Sequence, residues 1–184
     1  MDGQRPKRRP APRFCDRVLN VLSVLCLLVG FVLVIVYLPQ LPDRIPTHFN
    51  AAVEADGWGS RGMIWLLPAI IIVLVPGMLV LQRFPWLANV PFRINESNAD
   101  IQYALIVRLL ALLSLSVSLI FLLLLIETIA VAMGGKGPLG GWMLPVLILP
   151  TIGSLGWYLF AMIRNPGEPS PSDSVDDDQL SSNA

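Results

Sequence analysis

Three side chains in this sequence could take part in metal binding or proton transfer: His48, Asp56 and Glu127. A neutral imidazole and carboxylates can bind a divalent cation, and the same groups can carry protons when they lie at a membrane. His48 is the only histidine of the chain, and it lies with Asp56 in the polar stretch Pro46–Arg61. A single histidine beside one acid on a short loop is typical of a hydrogen-bonded turn rather than of a metal site.

The polar stretch Pro46–Arg61 lies between strongly apolar segments. The chain has 184 residues, of which 54% are hydrophobic and 14% are charged, and this composition is too apolar for a soluble domain of that length. A helix needs about 20 apolar residues to cross a bilayer, and it satisfies its own backbone hydrogen bonds there. The sequence therefore predicts an all-α integral membrane protein with a bundle of four transmembrane helices. We expect them over about 18–38, 63–81, 104–130 and 139–164.

Basic residues are sorted between the two sides of these four segments. Ten of the 13 lysines and arginines lie before the first segment, near the loop between the second and third, or after the fourth. The other three are Arg44, Arg61 and Lys136. Because basic loops are retained in the cytoplasm, both termini are predicted to face inward, and the loop Pro46–Arg61 is predicted to be extracytoplasmic.

The two ends of the chain are polar and rich in proline. Residues 1–17 are basic and residues 165–184 are acidic. We predict that both are disordered cytoplasmic tails. Between them we predict a membrane domain over 18–133, followed by the fourth helix. The positive charge of the N-terminal tail favours contact with the lipid bilayer. We expect no nucleic-acid partner, because no aromatic residues alternate with the basic ones before residue 14. Cys15 and Cys26 are predicted to be free thiols.

The residues of the loop predict a compact connection between the first two helices. Its prolines favour extended backbone, and Asp56-Gly57 is a dipeptide typical of tight turns. Ser60 could cap the helix that enters the membrane, and Trp58 suits the aromatic belt at a membrane surface. The simplest interpretation of the loop is a short hairpin that returns the chain to the bilayer.

The stretch "LPDRIPTHFNAAVEADGWGSR" resembles the signature of a family of bacterial membrane proteins of unknown function. This family forms the N-terminal part of Sdp-type immunity proteins, and the resemblance covers residues 18 to about 133. The resemblance implies a multi-pass protein of the bacterial plasma membrane; one branch of the family protects cells against a secreted toxin and relays its presence to a repressor. The matching residues are Pro46, His48, Phe49, Asn50, Glu54, Asp56, Gly57, Trp58, Gly59, Ser60 and Arg61.

Glu127 is predicted to lie at the level of the loop, since a helix that rises about 1.5 Å per residue from Arg108 reaches the outer face there. We therefore expect His48 and Glu127 to lie within reach of one another. A carboxylate that ends a helix and reaches water is the alternative interpretation of Glu127.

Three functions are compatible with the sequence. The first is binding of a peptide or protein partner through the loop, in an immunity or signalling role. The second is a structural subunit of a membrane complex, and the third is a small transporter or enzyme that uses His48, Asp56 and Glu127. No catalytic or phosphate-binding motif is present in the sequence, so we expect a non-enzymatic protein without a metal or cofactor. The candidate contact residues are His48, Asn50, Asp56, Gly57, Trp58, Ser60, Arg61 and Glu127.

Overall fold

The computed structural model describes residues 6–50, 52, 54–90, 94–138 and 140–165 of the chain. Within these residues the chain forms four α-helices and one antiparallel pair of strands. Three helical segments are long and apolar enough to cross a membrane: Phe14–Gln40, Arg61–Leu81 and Ala99–Ala132. The protein is therefore a mainly helical membrane protein. Its elements are α1 (Phe14–Tyr37), β1 (Arg44–Phe49), β2 (Ala55–Ser60), α2 (Leu66–Leu81), α3 (Ala99–Ala132) and α4 (Met143–Ile163).

The prediction of an all-α protein is wrong at the loop between α1 and α2, where β1 and β2 form a two-stranded sheet. The first helix also begins earlier than expected, at Phe14, so the last residues of the predicted tail are helical. The carboxylate of Asp16 explains this early start, because it accepts the backbone N–H of Arg13 at 2.9 Å and satisfies a donor of the first turn. The predicted acidic tail lies outside the described residues except for Asn165.

The helix α3 is the centre of the bundle, since α1, α2, α4 and β1 all contact it. At one end of the bundle, Val34 of α1 packs with Leu125 and Ile129 of α3 and with Ile45 of β1. At the other end, Tyr103 of α3 packs in a cluster with residues near the end of α4. We call the first end the hairpin end. The remaining surface of the helices exposes many large apolar side chains, as lipid-facing surfaces do.

Buried polar contacts join the helices at the opposite end, which we call the polar end. Nε of Arg108 lies 3.1 Å from Oδ1 of Asp16 and links α3 to α1. Two reciprocal amide hydrogen bonds join Asn20 of α1 to Gln82, directly after α2. Because unpaired polar groups are costly in an apolar surrounding, these contacts fix the relative position of three helices.

Candidate functional site on the hairpin

The two strands form a hairpin whose turn is closed by Asn50. Its side-chain Oδ1 accepts the backbone N–H groups of Ala52 and Glu54 at 2.9 and 3.0 Å. The backbone N–H of Asn50 also donates to the carbonyl oxygen of Glu54 at 2.9 Å. These side-chain hydrogen bonds satisfy backbone N–H groups of the turn that have no partner in the opposite strand. Asn50 is thus a structural residue of the site.

The prediction of a tight turn at Asp56-Gly57 is wrong, because both residues lie within β2. Gly57 pairs with His48 across the sheet, and a Cβ atom on Gly57 would lie 2.8 Å from the Cβ of His48. A Cβ atom on Gly59 would likewise lie 2.8 Å from the methyl carbon of Thr47. The glycines of β2 therefore allow the two strands to approach closely, rather than allowing a turn.

His48 and Asp56 form the principal polar pair of the hairpin. Nδ1 of His48 lies 2.5 Å from Oδ1 of Asp56, and the two side chains are 70% and 45% exposed. Asp56 fixes the orientation of the imidazole ring, as a carboxylate commonly does for a functional histidine. The second ring nitrogen, Nε2, has no partner among the described residues, so it is free to hydrogen-bond to a ligand.

The other predicted residues of the loop lie near this pair on exposed positions. Trp58 is 47% exposed, and its carbonyl oxygen accepts a long hydrogen bond of 3.5 Å from Arg44. Arg61 lies 3.9 Å from the carboxylate of Asp43 and is half exposed. Ser60 precedes the short 3₁₀ helix Arg61–Trp65, but its side chain makes no cap hydrogen bond there, so the predicted capping role is wrong.

Glu127 and His48, both described residues, form no hydrogen bond or ion pair with each other, contrary to our expectation. It is 1% exposed, and its carboxylate fills the space beside the Cα of Gly137, in the connection between α3 and α4. The alternative of a carboxylate that reaches water is also wrong. Among the described residues, no group of three histidine, cysteine, aspartate or glutamate side chains could hold a metal ion. His48 and Asp56 therefore form a pair that is separate from Glu127.

An apolar groove, which we did not predict from the sequence, lies beside the hairpin. The groove has a volume of about 150 Å³ and lies between β1, the start of α2 and the end of α3. Phe49, Met63 and Leu124 line it, with Thr47 and Thr128 as its polar members. The residue pattern of β1 does not indicate the groove, because Ile45 and Pro46 are both buried while Thr47 and His48 are both exposed, which is not the alternation of a half-buried strand.

Comparisons with known proteins find a family match in the part of the chain that contains the hairpin. Residues 25–72 match the family described as "Domain of unknown function (DUF1648)". This range includes the end of α1, the hairpin and the start of α2. A protein from Archaeoglobus fulgidus, described as uncharacterized, is 38% identical over 60 residues, which cover 28% of this chain and 33% of that protein. The chain thus spans about a third of this relative, and neither match carries an assigned activity. No solved structure matches the chain.

Replacement of Gly57 by valine is expected to separate the strands, because the new side chain must occupy space next to His48. Overpacking of this kind costs about 1–3 kcal/mol. Since a two-stranded sheet is only marginally stable, the hairpin should lose its protease resistance in detergent. Gly62→Val is the matched control, because the nearest atom to its Cβ would be 4.0 Å away. Equal cleavage rates for the two variants would contradict the close approach of the strands.

Proposed function

We propose that this multi-pass membrane protein binds a peptide or protein partner through the extracytoplasmic hairpin, in an immunity or signalling role, and that it is not an enzyme. The observation that carries this proposal is the combination of an exposed polar and aromatic surface with an apolar groove on one anchored hairpin. His48, Asp56, Trp58 and Arg61 offer hydrogen bonds, charge and aromatic area. Grooves of this kind, with a few polar groups at the rim, are typical of binding sites.

The attachment of the hairpin to the bundle supports this role. Ile45 is 1% exposed and packs between α1, α3 and the residues that precede α2. This burial holds the hairpin in one position, although a two-stranded sheet alone would be marginal. Binding of a ligand to this hairpin would therefore cost less conformational entropy than binding to a flexible loop, which would have to be ordered first.

The proposed topology has four transmembrane helices, with both termini in the cytoplasm of a bacterial cell. The helix α4 has 21 residues, and a helix of that length is about 31 Å long, close to the thickness of a bilayer core. The asymmetry of basic residues supports the orientation. The hairpin would then face the outside of the plasma membrane, where a secreted peptide could reach it.

A structural role in a membrane complex is the second candidate, and the surface of α4 favours it. Cβ atoms at Gly153 and Gly156 would meet nothing within 4 Å, so both glycines lie on an open helix surface. Small residues on such surfaces allow close approach of another transmembrane helix. The third candidate is a transporter or enzyme that uses His48, Asp56 and Glu127 together, and it is the least favoured because Glu127 is 1% exposed while His48 and Asp56 lie at the surface.

Photo-crosslinking from outside the cell tests the proposal. Single cysteines at Ser60, Lys136 and Asn89, in a chain with Cys15→Ser and Cys26→Ala, are treated with a membrane-impermeant maleimide that carries a benzophenone. All three positions are exposed. We expect labelling at Ser60 and Lys136 but not at Asn89, and a discrete crosslinked partner from Ser60 alone. Addition of Trp58→Ala should remove that partner.

Two outcomes would contradict the proposal. Labelling at Asn89 but not at Ser60 would reverse the orientation of the protein. The same crosslinked products from Ser60 and Lys136, unchanged by Trp58→Ala, would mean that the hairpin has no specific partner. Crosslinks from a benzoylphenylalanine incorporated at Gly153 during synthesis, with none from Ser60, would favour the structural role.

A further inference from the structure

A second cavity lies at the polar end of the bundle, far along the helices from the hairpin. Its volume is about 230 Å³, and the N-terminal segment, the start of α1 and the end of α2 enclose it. Arg9, Arg17 and Arg83 contribute to its lining, and no acidic residue does so within the part of the chain that the structure describes. Three cations around one cavity repel each other, and an anion between them would relieve this repulsion.

The three arginines of the cavity differ from other arginines at the same end. Arg108 is paired with the buried Asp16, and Arg8 is paired with Glu96 and Asp100. By contrast, none of Arg9, Arg17 and Arg83 has a carboxylate partner among the residues that the structure describes. Their guanidinium groups are exposed and available, and guanidinium binds phosphate oxygens through two parallel hydrogen bonds.

The wall of the cavity is already held in place by the amide pair of Asn20 and Gln82. The two side chains exchange hydrogen bonds of 2.8 and 3.1 Å, and both line the cavity. Gln82 is 8% exposed, so this link between α1 and α2 is largely protected from water. A preformed wall reduces the cost of ordering the site when an anion binds.

The surroundings of the cavity distinguish a lipid from a free anion. Leu79 lines the cavity itself, and the neighbouring side chains of Val21 and Val80 are 58% and 51% exposed. An apolar surface therefore begins directly beside the three arginines. This is the arrangement that a lipid requires, with its charged headgroup at the end of the helices and its acyl chains along them.

We propose that this cavity binds the phosphodiester headgroup of an anionic glycerophospholipid. Arg17 and Arg83 hold the phosphate from α1 and from the end of α2, and Arg9 closes the site from the N-terminal segment. The acyl chains lie against the exposed apolar residues of α1 and α2. The site is independent of the hairpin, so it stands whether or not the proposed partner binding is correct.

Native mass spectrometry of the full chain in detergent tests this assignment. The purified protein is mixed with phosphatidylglycerol, with phosphatidylcholine or with inorganic phosphate, and the bound fraction is measured. We expect one phosphatidylglycerol to be retained in preference to phosphatidylcholine. The double variant Arg17→Gln/Arg83→Gln should weaken its binding by about tenfold or more, since two charge-assisted contacts are lost.

The matched control is Arg44→Gln/Arg61→Gln, which removes the same charge at the hairpin end and should leave phosphatidylglycerol binding unchanged. Equal loss in both double variants, or no loss in either, would overturn the proposal. Displacement of the lipid by millimolar inorganic phosphate would identify a free-anion site instead. The thermal midpoint of each variant in lipid-free detergent is measured as well. If a midpoint falls, Arg83→Gln alone replaces Arg17→Gln/Arg83→Gln, and Arg44→Gln alone replaces the control.

Discussion

Replacement of Arg108 by methionine is expected to lower the free energy of unfolding by roughly 3 kcal/mol. Asp16 is 2% exposed, and Nε of Arg108 lies 3.1 Å from its Oδ1. The methionine keeps most of the side-chain volume but leaves the buried carboxylate without its cation. A buried charge that loses its partner costs far more than the intact pair contributes. The effect should appear in titration with SDS in mixed micelles.

Lys7→Met is the control for this experiment, because Lys7 is exposed at the same end of the bundle and makes no ion pair among the described residues. We expect this exposed substitution to change the free energy of unfolding by less than about 0.5 kcal/mol. The double variant Asp16→Asn/Arg108→Met should recover much of the loss, since it removes the unpaired charge. If the two substitutions instead have additive effects, the ion pair does not link α1 to α3 energetically.

Replacement of Gly137 by alanine is expected to lower the free energy of unfolding by about 1–3 kcal/mol. The carboxylate of Glu127 occupies the position that the new methyl group would take. Glu127 is 1% exposed and could leave that position only by moving within a packed surrounding. The substitution should therefore loosen the connection between α3 and α4, which limited proteolysis at Lys136 can detect beside the SDS titration.

Gly141→Ala is the matched control for Gly137→Ala, because a Cβ atom at Gly141 would meet nothing within 4 Å. It should leave the free energy of unfolding nearly unchanged. In a background of Glu127→Ala the obstruction is gone, so Gly137→Ala should cost much less than in the parent chain. An equal cost in both backgrounds would show that the close approach of Gly137 to Glu127 does not determine stability.

The local pattern of residues is sufficient to predict some elements and misleading for others. The long apolar segments correctly predict helices, and three of these are long and apolar enough to cross a membrane, because hydropathy over about 20 residues is a local property. Asp56-Gly57 wrongly predicts a turn, since the same dipeptide also suits a strand in which another backbone approaches closely. Asn50 closes the actual turn through side-chain hydrogen bonds to backbone groups.

The sequence by itself determined that the chain is a helical membrane protein with one polar motif between its first two helices, because lipid imposes length and apolarity on every spanning segment. Only the tertiary structure decided which charged groups meet. His48 is paired with Asp56 within the hairpin, while Glu127 is buried against Gly137 and Asp16 is paired with Arg108. Such partnerships depend on how the helices pack and which of their faces touch, and hydropathy along the chain does not encode those distances.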